Sequence, residues 1–244
     1  EHIRAWADGR LNPLVSHENP LRQLSFPPVA KPICYVEYDR AKAEKGGDSS
    51  DAKARLVLIQ TGCNLGFAGG NNVGLRYVLL RNDFDYVWLL NNDTVVEPDA
   101  LHQMVLRMSE RVNAGICGST INYYYGPDRV QALGGAAYNK WFGTPKRIHI
   151  PNGADVAGNA QIVERQMAYA LGASMLVSKT FLFDVGLLSE DYFLCFEELD
   201  WAMRARGRYD LAFAPCSVVY HKDGRSIGPL TAGGMRSILA DYYN

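Results

Sequence analysis

The chain has 244 residues, 48% of them apolar, with 25 Lys and Arg against 26 Asp and Glu and a net charge of −1. This ordinary globular composition excludes a collagen-like rod, a coiled coil and a disordered tail, and the length allows one to two domains of about 150 residues. Without a basic excess, nucleic acid is not an expected partner, and no apolar run approaches the roughly 18 residues that a membrane helix needs.

In chain order, Glu1-His2-Ile3-Arg4 is not a signal peptide. Residues 3–7 read as the last turns of a helix stopped by Asp8-Gly9. Five prolines make 12–32 a loop. Residues 33–38 alternate like a strand, and the charged stretch 42–53 reads as an exposed hairpin or flexible loop. A cleaner rhythm follows: a buried strand at 56–60, a glycine-rich turn at 64–70, and a helix at 72–81 with Val73, Tyr77 and Leu80 on one face. A strand at 86–90 leads to a helix at 98–111, with Pro98 in its first turn and Leu101, Val105 and Met108 facing inward. A third strand covers 115–121. This alternation predicts parallel βαβ units.

The second half is less regular. Residues 123–158 are rich in Gly, Tyr, Pro and Asn, with strand-like pieces at 130–133 and 166–171. Strands are expected at 173–177 and 217–220, helices at 179–185 and 198–206, and a helix-like segment at 230–243. We expect one continuous domain over 1–244, with a donor-nucleotide half at 1–121 and an acceptor and catalytic-base half at 122–244. Five widely spaced cysteines without a C-x-x-C pair read as reduced, mostly buried thiols of a cytoplasmic protein.

Four segments carry chemistry. Asn91-Asn92-Asp93-Thr94 ends a buried strand, at the sheet edge where open α/β sheets bind ligands. A carboxylate there can hold Mg²⁺ or Mn²⁺ against a diphosphate, or simply close an Asx-turn. Asn64-Leu65-Gly66-Phe67-Ala68-Gly69-Gly70-Asn71-Asn72 joins a strand to a helix. Its glycines let backbone approach a phosphate at the helix amino end, or only make a tight turn. It is neither G-x-G-x-x-G nor a P-loop.

Glu197-Glu198-Leu199-Asp200 opens a helix. The acids complement the helix dipole, or one of them is a general base whose pKa burial has raised. His221 ends a strand, as a hydrogen-bonded structural residue or a metal ligand. The aromatics Tyr123, Tyr124, Tyr125, Tyr138, Trp141 and Phe142 can pack a core or face sugar rings, and Arg204, Arg206 and Lys222 are solvated charges or supports for an anion.

Five motifs in series resemble the family 2 glycosyltransferases, and within them the bacterial rhamnosyltransferase-like branch. They are N-L-G-F-A-G-G-N-N from Asn64, Y-V-W-L-L-N-N-D-T from Tyr86, L-G-A-S-M-L-V from Leu171, F-E-E-L-D-W-A-M-R-A-R from Phe196, and H-K-D-G-R-S from His221. The resemblance runs from about Leu56 onward. It implies an α/β, GT-A-type nucleotide-sugar-binding fold, with a mostly parallel central sheet flanked by helices. It also implies that the family's N-terminal strands are missing and both ends truncated.

The resemblance further implies an inverting transfer from a nucleotide-diphosphate sugar to a saccharide or lipid-linked acceptor, in cell-wall or surface polysaccharide synthesis. Asp93 and His221 would hold Mg²⁺ or Mn²⁺, with Asn91 in place of the first acid of the family's D-x-D motif. Glu198 would be the general base and Glu197 its neighbour in the acidic pair. Asn64, Gly66 and Asn71 would lie near the donor, and Asn91, Asn92, Asp200 and Trp201 would line the substrate site. The implied location is cytoplasmic, with peripheral association at the inner face of the membrane. The rival readings are a sugar nucleotidyltransferase and a non-catalytic sugar-binding module.

Overall fold

The structure, a computed structural model, describes residues 1–48, 53–148, 150 and 155–222. The chain forms two compact units, Glu1–Phe84 and Asp85–Asn244. These do not coincide with the functional halves expected on either side of residue 121, a position inside a strand.

The first unit contains α1 (His2–Ala7), a short 3-10 turn at Arg22–Ser25, β1 (Tyr35–Asp39), α2 (Arg40–Ala43), β2 (Leu56–Gln60) and α3 (Gly66–Arg81). β1 and β2 pair in parallel, from Tyr35 opposite Leu56 to Asp39 opposite Gln60. Asp39 ends its strand and caps the next helix, its side chain accepting the Lys42 N–H at 2.7 Å. Tyr38, Ala43 and Val73 form a small core, with Val36, Val57, Ile59, Leu65 and Tyr77 packed against it.

Two expectations change here. The 42–53 stretch includes the end of a helix, and the glycine-rich segment is not a separate turn before α3. It forms the first turn and a half of α3 itself. Gly66 has φ +69°, a value that favours glycine, and once past it the chain is free to coil at once.

The second unit contains β3 (Tyr86–Leu90), β4 (Thr94–Val96), α4 (Ala100–Glu110), β5 (Ala114–Tyr123), β6 (Gly126–Leu133), β7 (Gly135–Asn139) and β8 (Thr144–Lys146). It continues with α5 (Ala160–Gln166), β9 (Tyr169–Ala170), β10 (Ser174–Ser178), α6 (Lys179–Val185), α7 (Glu197–Ala205) and β11 (Asp210–His221). Among the described residues its strands form one nine-stranded sheet.

The expected mostly parallel sheet is corrected to a mixed one. Among the described strands only β1–β2 and β5–β11 pair in parallel. β3 and β5 do run in the same direction, as a βαβ unit requires. However, β10 lies between them and pairs antiparallel with both. A crossover helix fixes the relative direction of two strands, not whether they are neighbours.

β5 is the axis of this sheet. One edge follows β11 along its length, and the other pairs first with β10 and then with β6. Where the partner changes, backbone closes on backbone: a Cβ at Gly118 would sit 1.9 Å from the Gly134 carbonyl oxygen. The sheet centre carries a buried polar relay, in which Trp88 Nε1 donates to Ser174 Oγ at 3.0 Å. Ser174 and Ser119 hydroxyls meet at 2.8 Å, and Ser217 donates to Ser119 at 3.0 Å. This ties β3, β10, β5 and β11 together.

Around it Met104, Met108, Ala114, Cys117, Leu176, Ala212 and Ala214 make an apolar core. Glu164 is buried and bound by Arg107 at 2.7 Å and by the Phe213 N–H at 3.0 Å, which fastens α5 to α4 and β11.

Other boundaries shift. α4 begins at Ala100, two residues after Pro98, and its buried face is Ala100, Met104 and Met108, while Leu101 is exposed. Residues 166–171 hold a helix end and a two-residue strand. β11 is three times the expected length because Pro215, which cannot donate to a ladder, sits at a register shift that the strand runs through. The cysteines are free, as expected, but only Cys117 is buried; Cys34, Cys63 and Cys216 are exposed. The segment 230–243 lies outside the described residues. No helix among those described is long and apolar enough to cross a membrane.

Candidate active site

The turn after β3 holds the first candidate group. Asn91 donates its backbone N–H to the Ala173 carbonyl at 3.1 Å, and the Thr94 hydroxyl donates to the Asn91 carbonyl at 2.6 Å. Asp93 follows, and its own carbonyl accepts the Lys222 N–H at 3.0 Å. Thr94 of β4 stands opposite His221 at the end of β11. The two strand ends bring His221 Nε2 to 3.4 Å from Asp93 Oδ1. On its far side the imidazole meets Gln131, with Nδ1 at 3.1 Å from Oε1. The tautomer in which Nδ1–H donates to Gln131 would turn the Nε2 lone pair toward the carboxylate.

Asp93 Oδ1 is buried and has no hydrogen-bond partner. An Asx-turn would have used such an oxygen; here it is left over. Two lone-pair atoms facing each other suit a shared cation. Ligands at right angles, each about 2.1 Å from a hard divalent ion, lie about 3 Å apart. Among the described residues Asp93 and His221 are two such ligands, and no cluster of three His, Cys, Asp or Glu occurs. Other positions around the ion would fall to donor or water oxygens.

The second candidate group opens α7. Periodicity decides which way each residue faces. Glu197, Trp201 and Ala205 recur every four residues along the inward stripe and are buried. Glu197 is 2% exposed, and its Oε2 has no hydrogen-bond partner. Glu198 lies one position round, and its Oε1 accepts the Gly172 N–H at 3.0 Å.

Burial pushes both carboxyls up. Glu197 reaches about 7, through desolvation and then the charge of Glu198. Glu198 is raised by desolvation, against which the N–H of Gly172 works. The Tyr169 phenol is raised to about 12 by desolvation and by the nearby Glu198.

The segment between β9 and β10 joins the two groups. Gly172 touches Glu198, and the next residue, Ala173, holds Asn91. Aromatic side chains flank the acids. Phe196 caps α7 at φ +73°, directly after Cys195 at φ +72°. Its ring is 44% exposed and meets Tyr138 edge-on, with centroids 6.3 Å apart. Two successive non-glycine residues in the left-handed region mark this turn as strained.

One expected substrate contact is corrected, and a second has a structural partner. Trp201 is 0% exposed, packs edge-on against Phe181 and donates Nε1–H to the Gly186 carbonyl at 2.9 Å, so it belongs to the core. Asp200 binds Arg204 at 2.8 Å, and Arg204 also donates to the carbonyls of Val185 and Leu187. That pair staples α7 to the preceding loop. In the first unit the Asn64 side chain accepts the Gly66 N–H at 3.0 Å, and the Asn71 amide donates to the Phe67 carbonyl at 2.9 Å. Both satisfy their own helix start. Asn92 is exposed in the turn before Asp93. Sequence reasoning missed Gln131, Gly172 and Phe196, although Gly172 and Phe196 stood in quoted motifs.

A mixed sheet with flanking helices, bearing an Asp-His pair and an acidic pair, is the layout of an enzyme built on a nucleotide-sugar-binding fold. The glycosyl transferase family 2 model matches residues 43–169, half of the chain. The chain belongs to glycosyl transferase family 2. That match includes Asn64, Gly66, Asn71 and Asn91 to Asp93, and ends before Glu197 and His221.

The chain is 28% identical over 170 residues to a low-salt glycan biosynthesis hexosyltransferase, Agl10, of Haloferax volcanii, covering 67% of this chain and 50% of that protein. It also superposes on the crystal structure of GalNAc-T7 with UDP, GalNAc and Mn²⁺. The TM-score is 0.51 and the identity 14%, over 71% of this chain and 33% of the other. At that identity the likeness is one of fold, GT-A-type α/β. The chain thus spans half the length of the hexosyltransferase and a third of the GalNAc-T7 chain.

Proposed function

We propose that the protein is an inverting glycosyltransferase that moves a sugar from a nucleotide-diphosphate donor to a hydroxyl of a saccharide or lipid-linked saccharide. The observation that carries this reading is the buried, unpartnered Oδ1 of Asp93 facing His221, tied through Gly172 and Ala173 to Glu198. The hexosyltransferase relative and the UDP and Mn²⁺ of the GalNAc-T7 structure support it.

Asp93 and His221 would hold Mg²⁺ or Mn²⁺, which supplies a Lewis acid for the leaving diphosphate. Gln131 orients the imidazole so that Nε2 is the free atom. Glu198 takes the proton of the acceptor hydroxyl as its oxygen attacks the anomeric carbon. Burial raises both carboxyls, so the pair tends to hold a proton between them, which limits like charge beside the base. Gly172 N–H fixes the orientation of the Glu198 carboxylate. By the family resemblance Asn64, Gly66 and Asn71 would serve the donor, with the amino end of α3 suited to a phosphate, and Asn91 and Asn92 would also be substrate-binding. Within the family the five motifs support a rhamnosyltransferase-like reading, with action in surface polysaccharide synthesis on the cytoplasmic side of a membrane as part of the proposal.

The test is nucleoside diphosphate release from a panel of nucleotide-sugars by the full-length protein, with and without chelator. Release that depends on Glu198 and on divalent metal supports the reading. Release of pyrophosphate from sugar phosphate and nucleoside triphosphate would identify a nucleotidyltransferase instead.

A further inference from the structure

The β7–β8 hairpin stands apart from the chemistry just described. Its strands pair from Ala137 opposite Lys146 to Asn139 opposite Thr144, leaving Lys140-Trp141-Phe142-Gly143 as the tip. Trp141 is 84% exposed and Phe142 79%. Every residue from 140 to 147 is exposed, including all of β8. Side-chain packing therefore does not account for two adjacent large aromatics at this tip, and neither does the turn, which needs only Gly143 at φ +65°.

The charge around them is one-signed. Lys140, Lys146 and Arg147 flank the pair, and no Asp or Glu occurs between Asp128 and Asp155, in a chain where acids outnumber bases. Lys140 Nζ lies 5.4 Å from the Trp141 ring centroid. Arg147 is fixed by its bond to the Tyr123 hydroxyl at 2.9 Å.

We propose that this hairpin is a membrane-contact element that seats Trp141 and Phe142 in the headgroup region of an anionic bilayer. Tryptophan is favoured at that depth, because its ring is apolar and its N–H finds a polar partner there. Each lysine or arginine near an anionic surface raises partitioning about fivefold. A protein partner is the other class that covers exposed aromatics, but acid-free, cation-flanked rings at a projecting tip match lipid headgroups better.

The position gives the contact a purpose. Tyr138 lies on the same hairpin, three residues before Trp141, and its ring meets Phe196 beside Glu197 and Glu198. A hairpin resting on the bilayer would hold the acidic pair close to the headgroups, within reach of a saccharide carried on a lipid diphosphate. The membrane contact stands by itself; the lipid-linked acceptor rests on the transfer reading above.

The experiment is co-sedimentation of the full-length protein with vesicles of phosphatidylcholine alone and of phosphatidylcholine mixed with phosphatidylglycerol. Wild type should bind the mixed vesicles, with a blue shift in emission that is missing in W141F. W141A/F142A should lose at least about tenfold in binding at unchanged Tm, and K140E/K146E should lose it in a salt-dependent way. No binding by the wild type, or equal binding by W141A/F142A, would overturn the proposal. So would a loss of self-association, rather than of vesicle binding, in that variant. Vesicle binding needs no turnover, so inactivity on every donor would sink the transfer reading and leave this result standing.

Discussion

Glu198 Oε1 accepts the backbone N–H of Gly172 at 3.0 Å, from a glycine followed by the residue that holds the turn of Asp93. The proposed base and the proposed metal ligand are thus set by adjacent peptide groups of one segment. A change at either end is felt at the other through a single backbone rather than a chain of side chains.

Glu198→Gln should abolish transfer while leaving donor binding intact. The amide keeps the size and can keep the Gly172 bond, but it cannot take a proton; losing a general base costs about 10²–10⁴-fold in rate. Glu197→Gln should retain most activity, since Glu197 is not the proposed base and the amide keeps its size in the buried site. A dead Glu197→Gln beside an active Glu198→Gln would exchange the two assignments.

The raised pKa of Glu197 has a thermodynamic signature. Its folded value of about 7 lies above the ordinary 4.5, so the native state binds more protons than the unfolded chain between those values. The contribution of this group to stability should be complete below about pH 4.5 and be lost as pH rises through 7. Glu197→Gln never ionises, so its stability relative to wild type should increase across this window and level off above it. Denaturant titrations of both proteins at a series of pH values would show this, and a constant difference would contradict it.

His221→Ala should weaken metal and nucleoside diphosphate binding together, with a small change in Tm. Gln131→Ala should weaken metal binding by about 10- to 100-fold, as expected of a partner that orients a ligand. Calorimetric Mn²⁺ titration reads both effects. Unchanged affinity with a lowered Tm in both variants would make the His221–Gln131 pair structural.

Phe196 holds a left-handed backbone with a half-exposed ring. Glycine there relieves about 1–2 kcal/mol of strain and gives up about 1 kcal/mol of partial burial. Phe196→Gly should therefore leave stability within about 1 kcal/mol of wild type while raising the acceptor KM, if the ring faces the acceptor sugar. A large drop in Tm with unchanged acceptor kinetics would make Phe196 a packing residue.

Gly118→Ala should destabilise the fold by about 3 kcal/mol or more. Its Cβ meets a backbone carbonyl rather than a flexible side chain, and must push β5 away from the Gly134 turn. A near-normal unfolding midpoint in urea would show that this turn gives way easily.

The residue pattern determined the local elements whose causes are local. β2, β3 and α6 fall where expected, the strands because they are short apolar runs and α6 because Ser178 caps it, accepting the Phe181 N–H at 3.2 Å. It also singled out Asp93, Glu198 and His221, since polar residues at strand and helix ends are conspicuous beside apolar runs. Only the tertiary structure decided that β10 slips between β3 and β5, which turns a parallel expectation into a mixed sheet. It alone placed Gln131 on His221, and it showed that Trp201 faces the core while Phe196 faces out. Each of these depends on pairing between segments distant in sequence, and a two- or four-residue periodicity carries no information about which distant strand will be the neighbour.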